Sequence, residues 1–175
     1  MEFSALINAL QNPEIYPERP EKVEWVQTHI SAIFLTGKHA YKIKKPVNFG
    51  FLDFTTLEKR KFFCQQEVDL NRRLCPEIYL GVVEIRSHQG RIFIAEGPGE
   101  IIEYAVFMKQ LPPECTMDRW LARNAVTPDL IEKIAAKVAR FHAQAATNRE
   151  IARFGEIETG LGKISGCIVQ SPGMR

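Results

Sequence analysis

No apolar run in this sequence approaches the roughly 20 residues that a membrane-spanning helix needs. Met1-Glu2-Phe3 also lacks the basic start and apolar core of a secretory signal. A membrane or exported protein is therefore not expected, and the reading is cytoplasmic. Charge of one sign is missing too. The 23 Lys and Arg against 21 Asp and Glu leave a net +2, which gives no global nucleic-acid signal. Cysteine is sparse: Cys64, Cys75, Cys115 and Cys167 show no metal-ligand spacing and read as reduced thiols. There is no internal repeat and no low-complexity segment. What is present, 45% hydrophobic and 25% charged over 175 residues, suits a folded chain of one domain or two small lobes.

Periodicity gives the order of elements. Phe3, Leu6, Ile7 and Leu10 have helical spacing, and Asn12 to Pro20, with Pro13, Pro17 and Pro20, reads as a linker. Val23–Thr28, Ile30–Thr36 and Ala40–Lys44 read as strands, the last two joined by a turn at Thr36-Gly37-Lys38-His39. A helix follows from Thr55 to about Leu74, with Thr55 and Glu58 as a capping box and Pro76 as the stop. Ile78–Arg86 and Arg91–Ala95 predict a hairpin, and Ile101–Met108 predicts a central strand because it is largely apolar. Lys109-Gln110-Leu111-Pro112-Pro113 is a stiff connection. Beyond it the period is helical: Thr116 starts a short helix through Arg123, and Thr127-Pro128-Asp129 starts a longer one. Leu130, Ile131, Ile134, Val138, Phe141 and Ala145 mark the apolar face of that second helix. The fold class is α+β, with the strands and one inserted helix first and the other helices after.

Glu67 is out of place in this pattern. It falls near the centre of the apolar face formed by Leu57, Phe63, Cys64, Val68, Leu70 and Leu74. An unpaired buried carboxylate costs several kcal/mol, so Glu67 requires a partner. The strand Ala40-Tyr41-Lys42-Ile43-Lys44-Lys45 supplies one, because alternation puts Ala40, Lys42 and Lys44 on one face. A strand lysine held by a helix glutamate is how protein kinases grip nucleotide phosphates, and a small residue two positions before the lysine leaves room for the nucleotide. An ordinary protein kinase would have a glycine-rich loop near Thr28-His29-Ile30-Ser31, and that turn has no glycine.

Several blocks together resemble the aminoglycoside phosphotransferase-like family, in the bacterial branch often fused to a P-loop kinase domain. They are Ile33 through Val47, Phe49-Gly50-Phe51-Leu52-Asp53-Phe54, Glu67 with Asn71-Arg72-Arg73-Leu74, Tyr79-Leu80-Gly81-Val82-Val83, Glu103-Tyr104-Ala105-Val106 with Met108, and Val138-Ala139-Arg140-Phe141-His142. That family also lacks the glycine-rich loop. The resemblance implies a kinase-like small lobe at 21–108 after an N-terminal helix and linker at 1–20, a hinge at 109–113, and the start of a helical large lobe at 114–155. It implies ATP as cofactor. Lys42 is implied as the phosphate-binding lysine, with Lys44 the second candidate, Glu67 as its helix partner, and the main chain of Met108, Lys109, Gln110 and Leu111 as the part that meets the adenine edge.

The family's transfer chemistry needs a His-Gly-Asp-like catalytic loop, then an Asn and an Asp for magnesium. No histidine here opens such a loop: His29, His39, His88 and His142 all stand in other contexts. Asp53-Phe54-Thr55 precedes the inserted helix and is misplaced for metal binding. Asp118 and Asp129 read as helix-start residues. The reading is therefore the nucleotide-binding part of a small-molecule kinase, with an unidentified acceptor, inactive alone, with Mg2+ expected only alongside the missing half. The alternative is a non-catalytic module that uses the small lobe to bind a protein or nucleic-acid partner. The tail 156–175, with no period of length, reads as irregular and as the mark of a truncated or frameshifted frame. Gly160-Leu161-Gly162-Lys163-Ile164-Ser165 matches a P-loop only loosely.

Overall fold

Strand alternation and two tight hairpins build most of the first part of the chain. The computed structural model describes residues 2–153 and Gly155; the expected irregular tail at 156–175, the loose P-loop match and Cys167 lie outside the described residues. The fold is mixed α+β. Six strands, β1 (Glu24–Gln27), β2 (Ser31–Leu35), β3 (His39–Lys44), β4 (Tyr79–His88), β5 (Arg91–Ile94) and β6 (Glu100–Lys109), form one antiparallel sheet in the order β1-β2-β3-β6-β4-β5. The apolar strand β6 is interior, as its composition predicts.

The chain divides into two compact units, one of Met1–Asn48 with Leu52–Gln110, the other of Phe49–Phe51 with the chain from Leu111. In the first unit each sheet face carries its own core. One face packs Leu6 and Ile7 of helix α1 (Phe3–Ala9), and Leu10 just after it, against Phe34, Tyr41, Ile43 and Ile85. The other packs Cys64 and Val68 of helix α2 (Leu57–Arg72) against Tyr104 and Val106.

Three expectations are corrected here. Asn12 to Pro20 is not a bare linker: Pro13–Ile15 forms a 3-10 turn, and the Tyr16 ring is buried with its hydroxyl donating to Leu10 O at 2.6 Å. The prolines stiffen a segment that the tyrosine anchors. The cap of α2 is Thr56, which accepts from Lys59 N at 3.3 Å, and not Thr55. Thr55 is engaged by Asp53, whose carboxylate accepts from the Thr55 N–H at 2.9 Å and from its hydroxyl at 2.6 Å. The buried stripe of α2 is also narrower than expected. Leu70 is exposed, because only the side facing β4 and β6 is covered.

The β4–β5 turn uses Gln89 and Gly90, both at positive φ (49° and 76°), which matches the primed turns favoured in two-residue hairpins. Gly99 is more constrained. Its φ is +99°, and a Cβ there would lie 2.1 Å from Ser87 O. Gly99→Ala is expected to destabilise the first unit by about 2 to 4 kcal/mol, read by urea unfolding.

In the second unit, α3 (Met117–Ala122), α4 (Pro128–Ala143) and α5 (Arg149–Arg153) are helical. Thr127 caps α4 by accepting from Leu130 N at 3.3 Å, as its sequence implies. Ile131, Ile134 and Val138 on the apolar stripe of α4 are exposed. Among the described residues no helix is long and apolar enough to cross a membrane. Cys64, Cys75 and Cys115 are free thiols. Burial pushes the Cys64 thiol up to about 12, with the nearby Glu67 and Glu103 carboxylates adding to the effect.

Candidate functional site

The face of β3 that looks towards α2 carries two cations and no anion of its own. Alternation places Ala40, Lys42 and Lys44 there, and α2 brings Glu67 to meet them. Lys42 Nζ donates to Glu67 Oε1 at 2.7 Å, and Lys44 Nζ donates to Glu67 Oε2 at 2.8 Å. One carboxylate is thus shared between two ammonium groups. With all three ionised the trio has a net charge of +1.

The two lysines differ in surroundings. The Lys44 side chain is 6% exposed and its Nζ lies 4.8 Å from the centre of the buried Phe54 ring, a cation–π arrangement. The Lys42 side chain is 25% exposed. Lys44 is therefore the buried partner that fixes Glu67, and Lys42 is the one open to a ligand. Burial alone would raise the Glu67 carboxyl. The hydrogen bonds and charges of Lys42 and Lys44 outweigh that effect and hold it below its usual range, so it is ionised at neutral pH.

Ala40 pairs across the sheet with Met108, and Lys42 with Val106, so the strip beside the lysines is apolar. Ser31 pairs with Lys44 in the β2–β3 register, which puts both side chains on the same face. The Ser31 hydroxyl is buried and has no hydrogen-bond partner. The glycine-free turn before it is organised by Thr28, whose hydroxyl accepts from the N–H groups of Ile30 (3.3 Å) and Ser31 (3.0 Å). A threonine side chain here shapes the turn without left-handed backbone.

The remaining sequence candidates lie at the end of β6. Met108 and Lys109 are its last strand residues. The Lys109 N–H donates to Ile78 O at 2.9 Å and the Gln110 N–H to Lys38 O at 3.0 Å, while Gln110 Oε1 accepts from Gly37 N at 2.8 Å. These N–H groups are committed within the fold, and Leu111 is exposed.

Sequence reasoning missed a second ion pair on α2. Arg60 Nε donates to Glu103 Oε1 and Oε2 at 2.9 and 2.8 Å, and Arg60 Nη1 to Phe54 O at 3.0 Å. Glu103 is almost fully buried; burial raises its carboxyl, and Arg60 offsets this only in part. The signal was available, since Glu103 stands inside the apolar run Ile101-Ile102-Glu103-Tyr104. The pair staples α2 to β6 and so positions Glu67 two turns further along the helix. Arg72, at the helix end, donates to Tyr79 O at 2.7 Å and also to Leu80 O. Asp53 is engaged by Lys59 and Thr55, which hold its carboxyl down at about 2. Among the described residues no three His, Cys, Asp or Glu side chains are placed to hold a metal.

The chain is similar to uncharacterized proteins of Mycobacterium tuberculosis strains H37Rv and CDC 1551 and of Mycobacterium bovis. Each is 32% identical over 131 residues, which covers 75% of this chain. The match spans only 24% of each relative's own length. No protein-family model and no solved structure matches the chain.

Proposed function

We propose that the first unit is a kinase-like small lobe of the aminoglycoside phosphotransferase-like type, and that its Lys42–Glu67–Lys44 trio binds the phosphates of a nucleotide, ATP being the best fit. The observation that carries this reading is the sharing of one carboxylate between two lysines. A structural ion pair needs one cation for one anion. The second ammonium leaves a positive excess beside the small Ala40, and the more exposed Lys42 presents it. Phosphate oxygens are the strong acceptors that such a group holds. Ala40 and Met108, opposite each other in the sheet, would lie under the sugar and base.

No described residue is assigned as catalytic base or magnesium ligand. On this reading the lobe binds nucleotide, and phosphate transfer to a small molecule requires residues that this stretch does not supply. The test is isothermal titration of the chain with ATP, ADP and adenosine at low salt. Saturable binding that weakens from ATP to ADP to adenosine, and falls with added salt, supports phosphate recognition. Adenosine binding as tightly as ATP, or no binding of ATP, would count against it and favour a non-catalytic partner-binding module.

A further inference from the structure

A second cleft, of about 720 Å3, opens on the sheet face opposite the lysine trio. Tyr41 and Phe107 line it, neighbours in register on β3 and β6 whose side chains alternate away from Lys42 and Val106. Its floor is aromatic. The Tyr41 and Phe107 rings lie 5.0 Å apart, His39 lies 4.7 Å from Phe107, and Phe93 adds a wall from β5. Its charge is negative: Glu14, Glu18 and Glu96 line it against one guanidinium, Arg19.

Glu18 is the fixed anion of this cleft. Its Oε1 accepts from the Thr36 hydroxyl at 2.8 Å and meets His39 Nδ1 at 3.0 Å, and its Oε2 accepts from the Tyr41 hydroxyl at 2.9 Å. These partners are two hydroxyls and an imidazole, not a lysine or arginine, so the carboxylate is oriented without an obligate cation. The two segments that frame the opening are both strained. Arg19 and Ala95 are non-glycine residues at φ of 43° and 68°, a conformation that costs about 1 kcal/mol or more and concentrates at ligand clamps.

We propose that this cleft binds a small organic ammonium ion, held between the aromatic floor and the Glu18 carboxylate. Rings with a carboxylate suit an alkylated or primary ammonium through cation–π attraction and charge. A bare metal ion is disfavoured, because among the described residues no three ligating side chains converge. The site is independent of the nucleotide reading, since the two lie on opposite faces of the sheet.

The experiment is a backbone amide NMR titration of the full chain with choline chloride, beside the uncharged tert-butyl isostere of choline. Saturable shifts at His39, Ala95 and Phe107 with choline, and none with the isostere, are expected. Glu18→Gln, which keeps size and one acceptor oxygen but removes the charge, should weaken choline about tenfold. Should Glu18→Gln fail to fold, the exposed rim pair Glu14→Gln with Glu96→Gln should weaken it severalfold. Equal binding of the isostere, no saturable shift at these amides, or undiminished choline binding by the folded variants would overturn the proposal.

Discussion

Replacing Glu67 by leucine is expected to destabilise the first unit by about 3 to 5 kcal/mol, the range for removing one partner of a buried ionic group. The substitution removes the anion shared by two ammonium groups, one of them 6% exposed. Lys42 can swing to solvent, but Lys44 is enclosed beside Phe54. Glu67→Gln keeps the volume and one acceptor, so its cost should be smaller and should depend on pH. The folded carboxyl is held below the usual 4.5. A lowered acid contributes stability above its unfolded value and loses it as pH falls through its folded value. The gap in melting temperature between wild type and Glu67→Gln should therefore be full at about pH 6 and close on acidification below about pH 4. A gap that does not change with pH would show that Glu67 is not ionised in the folded chain.

The second large effect separates the two lysines. Lys42→Met should weaken ATP about hundredfold, roughly 3 kcal/mol, the loss of a charge-assisted contact to phosphate. Its effect on stability should be small, within about 1 kcal/mol, because Lys44 still neutralises Glu67. Lys44→Met should act differently. Lys42 would then be drawn wholly into pairing with Glu67, and the positive excess would vanish. ATP should weaken by about tenfold while Lys42 remains in place. Urea unfolding and ATP titration on the same two variants check both statements. Equal loss from both substitutions would mean that the lysines act as one undivided cation.

These two positions also show what sequence could and could not convey. A carboxylate on an apolar helix stripe and lysines at alternate strand positions were legible, because both violate the pattern around them. Which lysine is enclosed was not legible, since exposure depends on Phe54, a residue ten positions further on. The interior place of β6 followed from its apolar composition, but its neighbours in the sheet did not. The Arg60–Glu103 pair was overlooked, although Arg60 lies two turns before Glu67 on the same stripe and Glu103 interrupts an apolar run. The residue 12–20 segment misled through its prolines. They mark a break in regular structure, but burial there is decided by Tyr16, whose ring packs edge-on to Tyr41 at 5.0 Å. The cap of α2 shifted by one residue because Asp53 claims the first of two adjacent threonines.

The most direct test of the central claim is covalent labelling with fluorosulfonylbenzoyl adenosine, an adenine nucleoside carrying a lysine-reactive sulfonyl fluoride where ATP carries its phosphates. Mass spectrometry of the digest should place the label on Lys42, and added ATP should suppress it. Labelling spread over surface lysines such as Lys22 and Lys133, unaffected by ATP, would contradict a nucleotide site at the trio.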